Sequence, residues 1–221
     1  TLQLTRRAGD LAKTGVAEVE NLVIAGWTGR DAAAVEKHIV ELEAIGVKRP
    51  SRTPIFYRAA ASLLTTTGAI QVAGGDSSGE VEFVLLSLAD GLWVGVGSDH
   101  TDRKVEALDV TVSKQMCAKV IGPDVWRFTD VAPHWDQLVL RSWAHISGKR
   151  VRYQEGAVSG MRHPDEIVRL YTGNAALPAG TAMFGGTHAV HGGVRPATQF
   201  DIELDDPVLG RKLTHTYRIE S

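Results

Sequence analysis

Apolar positions along the chain fall into two rhythms. Ala32, Ala33, Ala34, Val35, Ile39, Leu42 and Ile45 recur at the helical interval. Thr28-Gly29-Arg30-Asp31 stands just ahead of them with capping hydroxyl and carboxylate groups, so the spacing predicts a helix that ends at Gly46, with Pro50, Ser51 and Pro54 continuing as loop. A short apolar run at 22–25 precedes this helix and ends at Gly26. Downstream, segments rich in Val, Ile, Leu and Trp at 69–72, 81–87, 92–96, 108–112 and 137–143 read as strands. Gly148-Lys149 predicts a hairpin turn into 150–153, and a second helix is predicted over 164–171 with proline in its first turn. Strands return at 182–184, 199–204 and 213–219.

This order predicts a mainly β chain with few helices (α+β), in mixed, mostly antiparallel sheets. Composition agrees, since 23 glycines and 6% aromatic residues suit many turns between short strands better than a helical bundle. With 221 residues and 43% hydrophobic content the expectation is one domain over 1–221, with 28–54 as a helix or lid segment. A net charge of -2 and the lack of any basic run argue against nucleic-acid binding. No apolar stretch approaches the roughly 20 residues that cross a bilayer, and the first residues do not read as a signal peptide. Cys117, the single cysteine, excludes an intramolecular disulfide framework and fits a reducing compartment, so a cytoplasmic protein is expected.

Candidate chemistry begins at Glu80-Val81-Glu82. In a strand both carboxylates share one face, about 7 Å apart along the chain. Like charges so close repel unless water solvates them or a cation sits between them; the two readings are a solvent-facing edge and a site for a hard, oxygen-seeking ion. The apolar, glycine-rich 93–97 runs directly into Ser98-Asp99-His100-Thr101-Asp102-Arg103, a polar cluster at a predicted strand end. Asp99 is the candidate that completes a three-carboxylate set with Glu80 and Glu82 for Mg²⁺ or Mn²⁺. His100 is the rival ligand, although in an extended segment it points opposite to Asp99.

His38-Ile39-Val40-Glu41, Ile55-Phe56-Tyr57-Arg58, Glu80-Val81-Glu82, Asp99-His100-Thr101-Asp102-Arg103, Ser113-Lys114, Tyr153-Gln154-Glu155-Gly156 and Gly185-Gly186-Thr187 follow one another in order. In that order they resemble the fumarylacetoacetate hydrolase superfamily from about Gly29 to the C-terminus, and within it a bacterial branch known as a domain of unknown function. Arg58 stands where that family usually has lysine, His188 where it has proline, and Lys104 where it often has an acid. The resemblance implies the family's β-roll, a homodimer, and an ion that binds a small carboxylate substrate through adjacent carbonyl or carboxylate oxygens. It also places Gln154 and Thr187 at the substrate pocket.

His38 and Glu41 are three apart on one helix, so the carboxylate can orient the imidazole as a base; an exposed surface pair is the alternative. Lys114, expected at a strand end, can stabilise an enolate oxygen or be a solvated lysine. Arg58 can clamp a carboxylate, whereas Arg103 reads as a brace for the metal-bearing loop. The glycine-rich 185–193 lacks the Lys-Ser/Thr of a phosphate loop. Trp126, Trp135 and Trp143 are expected in the core or at a subunit interface. The favoured expectation is a divalent-metal-dependent hydrolase acting next to a carbonyl of a 2-oxo acid or 1,3-dicarbonyl compound. Its alternatives are a lyase, decarboxylase or dehydratase, on the same metal site, and a non-catalytic small-acid binder.

Overall fold

Alternation along the central strands supplies two apolar faces. Val81, Phe83 and Leu85 point into one cluster, with Val94 and Val96, while Val84 and Leu86 point into another, with Trp93, Ile121 and Phe184. A sheet with both faces covered results. The computed structural model describes residues 1–44, 49–173 and 176–221, without the side chains of His38, Glu41, Leu42 and Ala44.

In chain order the strands are β1 (Leu2–Ala8), β2 (Leu11–Ala17), β3 (Asn21–Gly26), β4 (Ile55–Ala59), β5 (Leu64–Thr65), β6 (Ala69–Gln71), β7 (Ser77–Ser78), β8 (Val81–Leu88) and β9 (Gly91–Ser98). They continue with β10 (Thr101–Asp102), β11 (Lys119–Ile121), β12 (Asp124–Arg127), β13 (Val139–Ile146), β14 (Lys149–Ala157), β15 (Thr181–Phe184), β16 (Gln199–Asp206) and β17 (Arg211–Glu220). The α-helices are α1 (Ala32–Ala44), α2 (Arg103–Glu106), α3 (Val110–Met116), α4 (Phe128–Val131) and α5 (Pro164–Thr172). A 10-stranded sheet runs β2-β1-β12-β9-β8-β15-β3-β4, with β11 and β5 attached beside β9. A 5-stranded sheet runs β14-β13-β16-β17-β6, and β10 pairs with β7. β1–β12, β15–β3, β11–β5 and β17–β6 are parallel pairs and the remaining pairs are antiparallel, so the mixed, mostly antiparallel α+β expectation stands.

Where the pattern was strong, the elements match it. Asp31 accepts from Ala33 and Ala34 at 2.9 and 3.1 Å and starts α1 as its sequence implies. The predicted stop at Gly46 lies outside the described residues. Residues 108–112 are a correction. They are not a strand, because Asp102 and Asp109 each accept a backbone N–H three residues on, at 3.0 Å, and start the short helices α2 and α3 despite the β-branched valines. Lys114 therefore sits on a helix, not at a strand end. Trp126 and Trp135 are buried, whereas Trp143 lies half-buried on the sheet surface between the guanidinium groups of Arg150 and Arg152.

Candidate metal centre

β8 and β9 form an antiparallel pair in which Glu82 faces Gly97 and Val81 faces Ser98. Glu80 lies just before β8 and Asp99 just after β9, so the register delivers three carboxylates to one end of the pair. Gly97 makes room. A Cβ there would come within 2.6 Å of Val84 Cγ2 and 2.7 Å of the Val120 carbonyl oxygen. One oxygen each from Glu80, Glu82 and Asp99 lies within 4.8 Å of the others. Glu82 and Asp99 are buried, at 3% and 1% exposure, and Glu80 is half-buried.

Cations close around this cluster. Lys114 Nζ is 2.6 Å from Asp99 Oδ2, 3.7 Å from Glu80 and 3.4 Å from Glu106. Lys119 Nζ, fully buried, lies 2.6 Å from Asp99 Oδ1 and donates to the His100 carbonyl at 2.6 Å. Arg103 joins Glu80 at 3.1 Å to Glu106 at 2.7 Å and donates through Nε to Ser78 Oγ at 2.6 Å. Glu82 has no such ion pair among the described contacts; its one fixed partner is the Gly186 backbone N–H, which donates at 2.7 Å.

The electrostatics follow from that asymmetry. Burial, and then the neighbouring charges of Asp99 and Glu80, push the Glu82 carboxyl well above its usual range. Burial pushes Asp99 the same way, but the Lys114 and Lys119 ammonium groups overcome it and hold Asp99 below the usual carboxylate range. For Lys114, burial acts downward and is outweighed by Asp99, Glu80 and Glu106, so it stays an ammonium ion. His100 is pushed down to about 3 by burial and by Lys119 and Arg103, and both its ring nitrogens are engaged, by Tyr217 and Ser77 and not by the carboxylate cluster.

The donor set fits a hard divalent ion. All three groups offer oxygen, and two are buried where an unneutralised anion is costly. Asp99 Oδ2 is buried without an aligned hydrogen bond even though Lys114 is close by. A +2 ion would supply the positive charge that burial and its neighbours deny the Glu82 carboxylate. With Glu80, Glu82, Asp99 and Glu106 all ionised against Lys114, Lys119 and Arg103, the ion would also change the cluster from a net negative to a net positive charge, which attracts a carboxylate.

The other expected site residues divide. Gln154 is buried and its amide is spent on protein, with Oε1 accepting from Val81 N–H at 3.0 Å and Ser142 Oγ at 3.2 Å, and Nε2 donating to Thr187 Oγ1 at 2.7 Å and the His188 carbonyl at 2.6 Å. Thr187 donates in turn to the Val81 carbonyl at 2.6 Å. These two residues brace the loop after β15 against the start of β8, next to Glu82. His188 packs its ring where Gly156 lacks a side chain; a Cβ there would be 2.6 Å from the ring. Arg58 is exposed and donates to Asn21 Oδ1 at 3.1 Å, and its described contacts include none of the three carboxylates. The backbone of His38 and Glu41 lies in α1, while their side chains are outside the described residues. By sequence Lys119 is a competitor of Lys114 for the functional lysine and Glu106 a salt-bridge partner for Arg103; the structure brings both to the cluster, and a lysine inside the apolar run Ala118-Lys119-Val120-Ile121 is the signal for the first.

A family model described as "Protein of unknown function (DUF2848)" matches residues 25–217. The chain belongs to the DUF2848 family. No curated protein sequence matches this DUF2848 chain. Among solved structures it is similar to Cg1458 with inhibitor, at TM-score 0.65 and 16% identity over 94% of this chain and 80% of that one. It is also similar to 2-keto-3-deoxy-D-arabinonate dehydratase in its apo form, at TM-score 0.64 and 16% identity over 95% and 77% of the two chains. The same enzyme complexed with magnesium and 2,5-dioxopentanoate gives TM-score 0.63 and 18% identity over 95% and 75%. The DUF2848 chain therefore shares their fold. No helix among the described residues is long and apolar enough to cross a membrane.

Proposed function

We propose that this DUF2848 protein is a Mg²⁺-dependent lyase of the fumarylacetoacetate hydrolase superfamily that removes water from a small 2-oxo acid carrying a hydroxyl β to its ketone. The observation that carries the reading is the convergence of Glu80, Glu82 and Asp99 within 4.8 Å, two of them buried. The dehydratase neighbour complexed with magnesium and a dioxo acid supports the direction of the chemistry. When bound, the ion supplies Lewis acidity toward the ketone and carboxylate oxygens of the substrate.

In this reading the chain's own groups do the rest. Glu80, Glu82 and Asp99 hold the ion. Lys114, buried and charged, stabilises the negative charge that develops on the substrate oxygen when the proton next to the ketone departs. Lys119 and Arg103 keep Asp99 and Glu80 in position. His38, oriented by Glu41, takes the proton, and the segment 28–54 closes over the substrate. In support, Arg30 anchors the start of that segment to Asp136 through two bonds of 2.7 Å, while most described positions of α1 are exposed. Arg58, Gln154 and Thr187 complete the substrate surroundings, the latter two by fixing the loop. A single domain over 1–221, a homodimer and a cytoplasmic location belong to the same proposal.

The test is incubation of the metal-loaded protein with 3-deoxy-2-oxo acids and, separately, with acylpyruvates, followed by NMR. Loss of water is expected to give an unsaturated 2-oxo acid, which tautomerises to a dioxo acid where the substrate carries a second hydroxyl on the next carbon. Cleavage of acylpyruvates alone would replace elimination by hydrolysis at the same centre, and turnover of neither class would leave a binding protein. Hydrogen exchange over 28–54 with Mg²⁺ and oxalate should slow about tenfold if the segment closes.

A further inference from the structure

A cavity of about 470 Å³ opens beside the centre, its lining including Asp76, Ser78, Arg103, Lys104 and Arg195. Three of these side chains are basic and one is acidic. Lys104 is exposed on α2 and has no ion pair among the described contacts. Arg195 spends one N–H on the His191 carbonyl at 2.8 Å, and its Nε is buried with no hydrogen-bond partner. Arg103 Nη2 is likewise buried without an aligned hydrogen bond, although it lies 3.1 Å from Glu80. The unpaired Arg195 Nε is costly, and two arginines with a lysine outweigh the single Asp76 carboxylate around this opening and match the acceptor-rich surface of a tetrahedral oxyanion.

We propose that this cavity is a binding site for a small dianionic oxyanion, phosphate-like in charge and shape, distinct from the carboxylate cluster and joined to it through Arg103. The link has a direction. An oxyanion that engages Arg103 competes with Glu80 for the same guanidinium and frees that carboxylate for a cation, while adding negative potential nearby. Ligand in the cavity therefore strengthens divalent-ion binding, and by reciprocity the ion strengthens oxyanion binding. The second half of this inference rests on the metal reading and the first half does not. The oxyanion is either a free ion or the far end of a phosphorylated substrate.

Sulfate is the probe, because it does not sequester Mn²⁺ as phosphate does. Calorimetric titration of the full chain without added metal should show saturable sulfate binding at about millimolar Kd, weakened about tenfold in both Arg195→Ala and Lys104→Ala. Lys104 is exposed, so its variant keeps the test valid should Arg195→Ala fail to fold. Mn²⁺ titration followed by electron paramagnetic resonance should show tighter binding with sulfate present in the wild type and no such gain in Lys104→Ala. Absence of saturable sulfate binding, or equal binding by wild type and Lys104→Ala, overturns the site. Intact sulfate binding with no effect on Mn²⁺ overturns the coupling alone, and failure to bind Mn²⁺ at all overturns the metal reading while leaving the oxyanion site standing. Sulfate binding with competition by phosphorylated oxo acids, but not by simple ones, assigns the cavity to the substrate's far end; competition by neither leaves a free ion as the ligand.

Discussion

Two regions of the molecule carry acidic residues in strand alternation, and only one of them looks like a metal centre. On β16, Asp201, Glu203 and Asp205 share a face of the 5-stranded sheet, a longer run of alternate carboxylates than Glu80 and Glu82. There, Arg141 lies 3.0 Å from Glu203 and 2.7 Å from Asp205, and Arg150 and His145 lie 2.6 and 3.1 Å from Asp201. Each acid meets a base from a neighbouring strand, and even the buried Glu203 has two cationic partners, Arg141 and Lys212 at 3.2 Å. At the end of β8 and β9 two of the acids are buried, the cations crowd toward Asp99 and Glu80, and Glu82 is left with a single backbone donor. Spacing supplies carboxylates on one face. Unequal pairing of buried acids is what distinguishes a site able to take a cation from a ladder whose charges are matched one by one.

The largest effect that sharpens this contrast is on ion affinity. Glu82→Gln keeps an acceptor for Gly186 but removes a charge, and should weaken Mn²⁺ binding on the order of 100-fold, whereas Glu203→Gln should leave it unchanged; isothermal titration of both checks this. Lys114→Met should lower turnover by about 10²- to 10³-fold while metal binding is retained, read by kinetics beside metal analysis. A loss of ion binding in that variant would move Lys114 from charge stabilisation to holding the cluster together.

Stability gives the next pair. Asp99→Asn strips the buried Lys119 of its counter-charge and should cost about 3 kcal/mol in denaturant unfolding, against less than about 1 kcal/mol for Arg150→Ala at the exposed edge of the β16 ladder. The pH dependence should differ as well. Glu82 has a folded pKa above its unfolded value of about 4.5, so the folded chain holds the extra proton between those two values. Its contribution is then lost as pH rises through the raised folded pKa, which makes the metal-free wild type lose stability relative to Glu82→Gln over that window. Saturating Mg²⁺ should remove this pH slope from the wild type and raise its stability above that of Glu82→Gln. A wild-type curve parallel to that of Glu82→Gln without metal would contradict the burial of a protonated Glu82.

Some of this was legible from residue order and some was not. Glu80 and Glu82 follow directly from two-residue alternation, and Asp99 from its position after an apolar, glycine-rich strand. α1 and α5 were legible because Asp31 and Pro164 mark their starts. The stretch 103–116 was not, since Val105, Val110 and Val112 favour strands locally and the deciding hydrogen bonds come from Asp102 and Asp109. The β1–β2 hairpin escaped notice because β2 is mostly exposed and carries almost no buried face. Gln154 and Thr187 were found by resemblance, but no local pattern tells that their polar groups are consumed by Val81, His188 and each other. The partnership of Lys119 with Asp99 joins β11 to the end of β9, a tertiary fact that spacing does not encode.

Crystals of the full chain soaked in Mn²⁺ and measured at the manganese absorption edge test the central claim most directly. The account predicts one anomalous peak per chain, bounded by oxygens of Glu80, Glu82 and Asp99, with Lys114 displaced from Asp99 Oδ2. A map with no peak there, or with its peak on the β16 ladder instead, would contradict it.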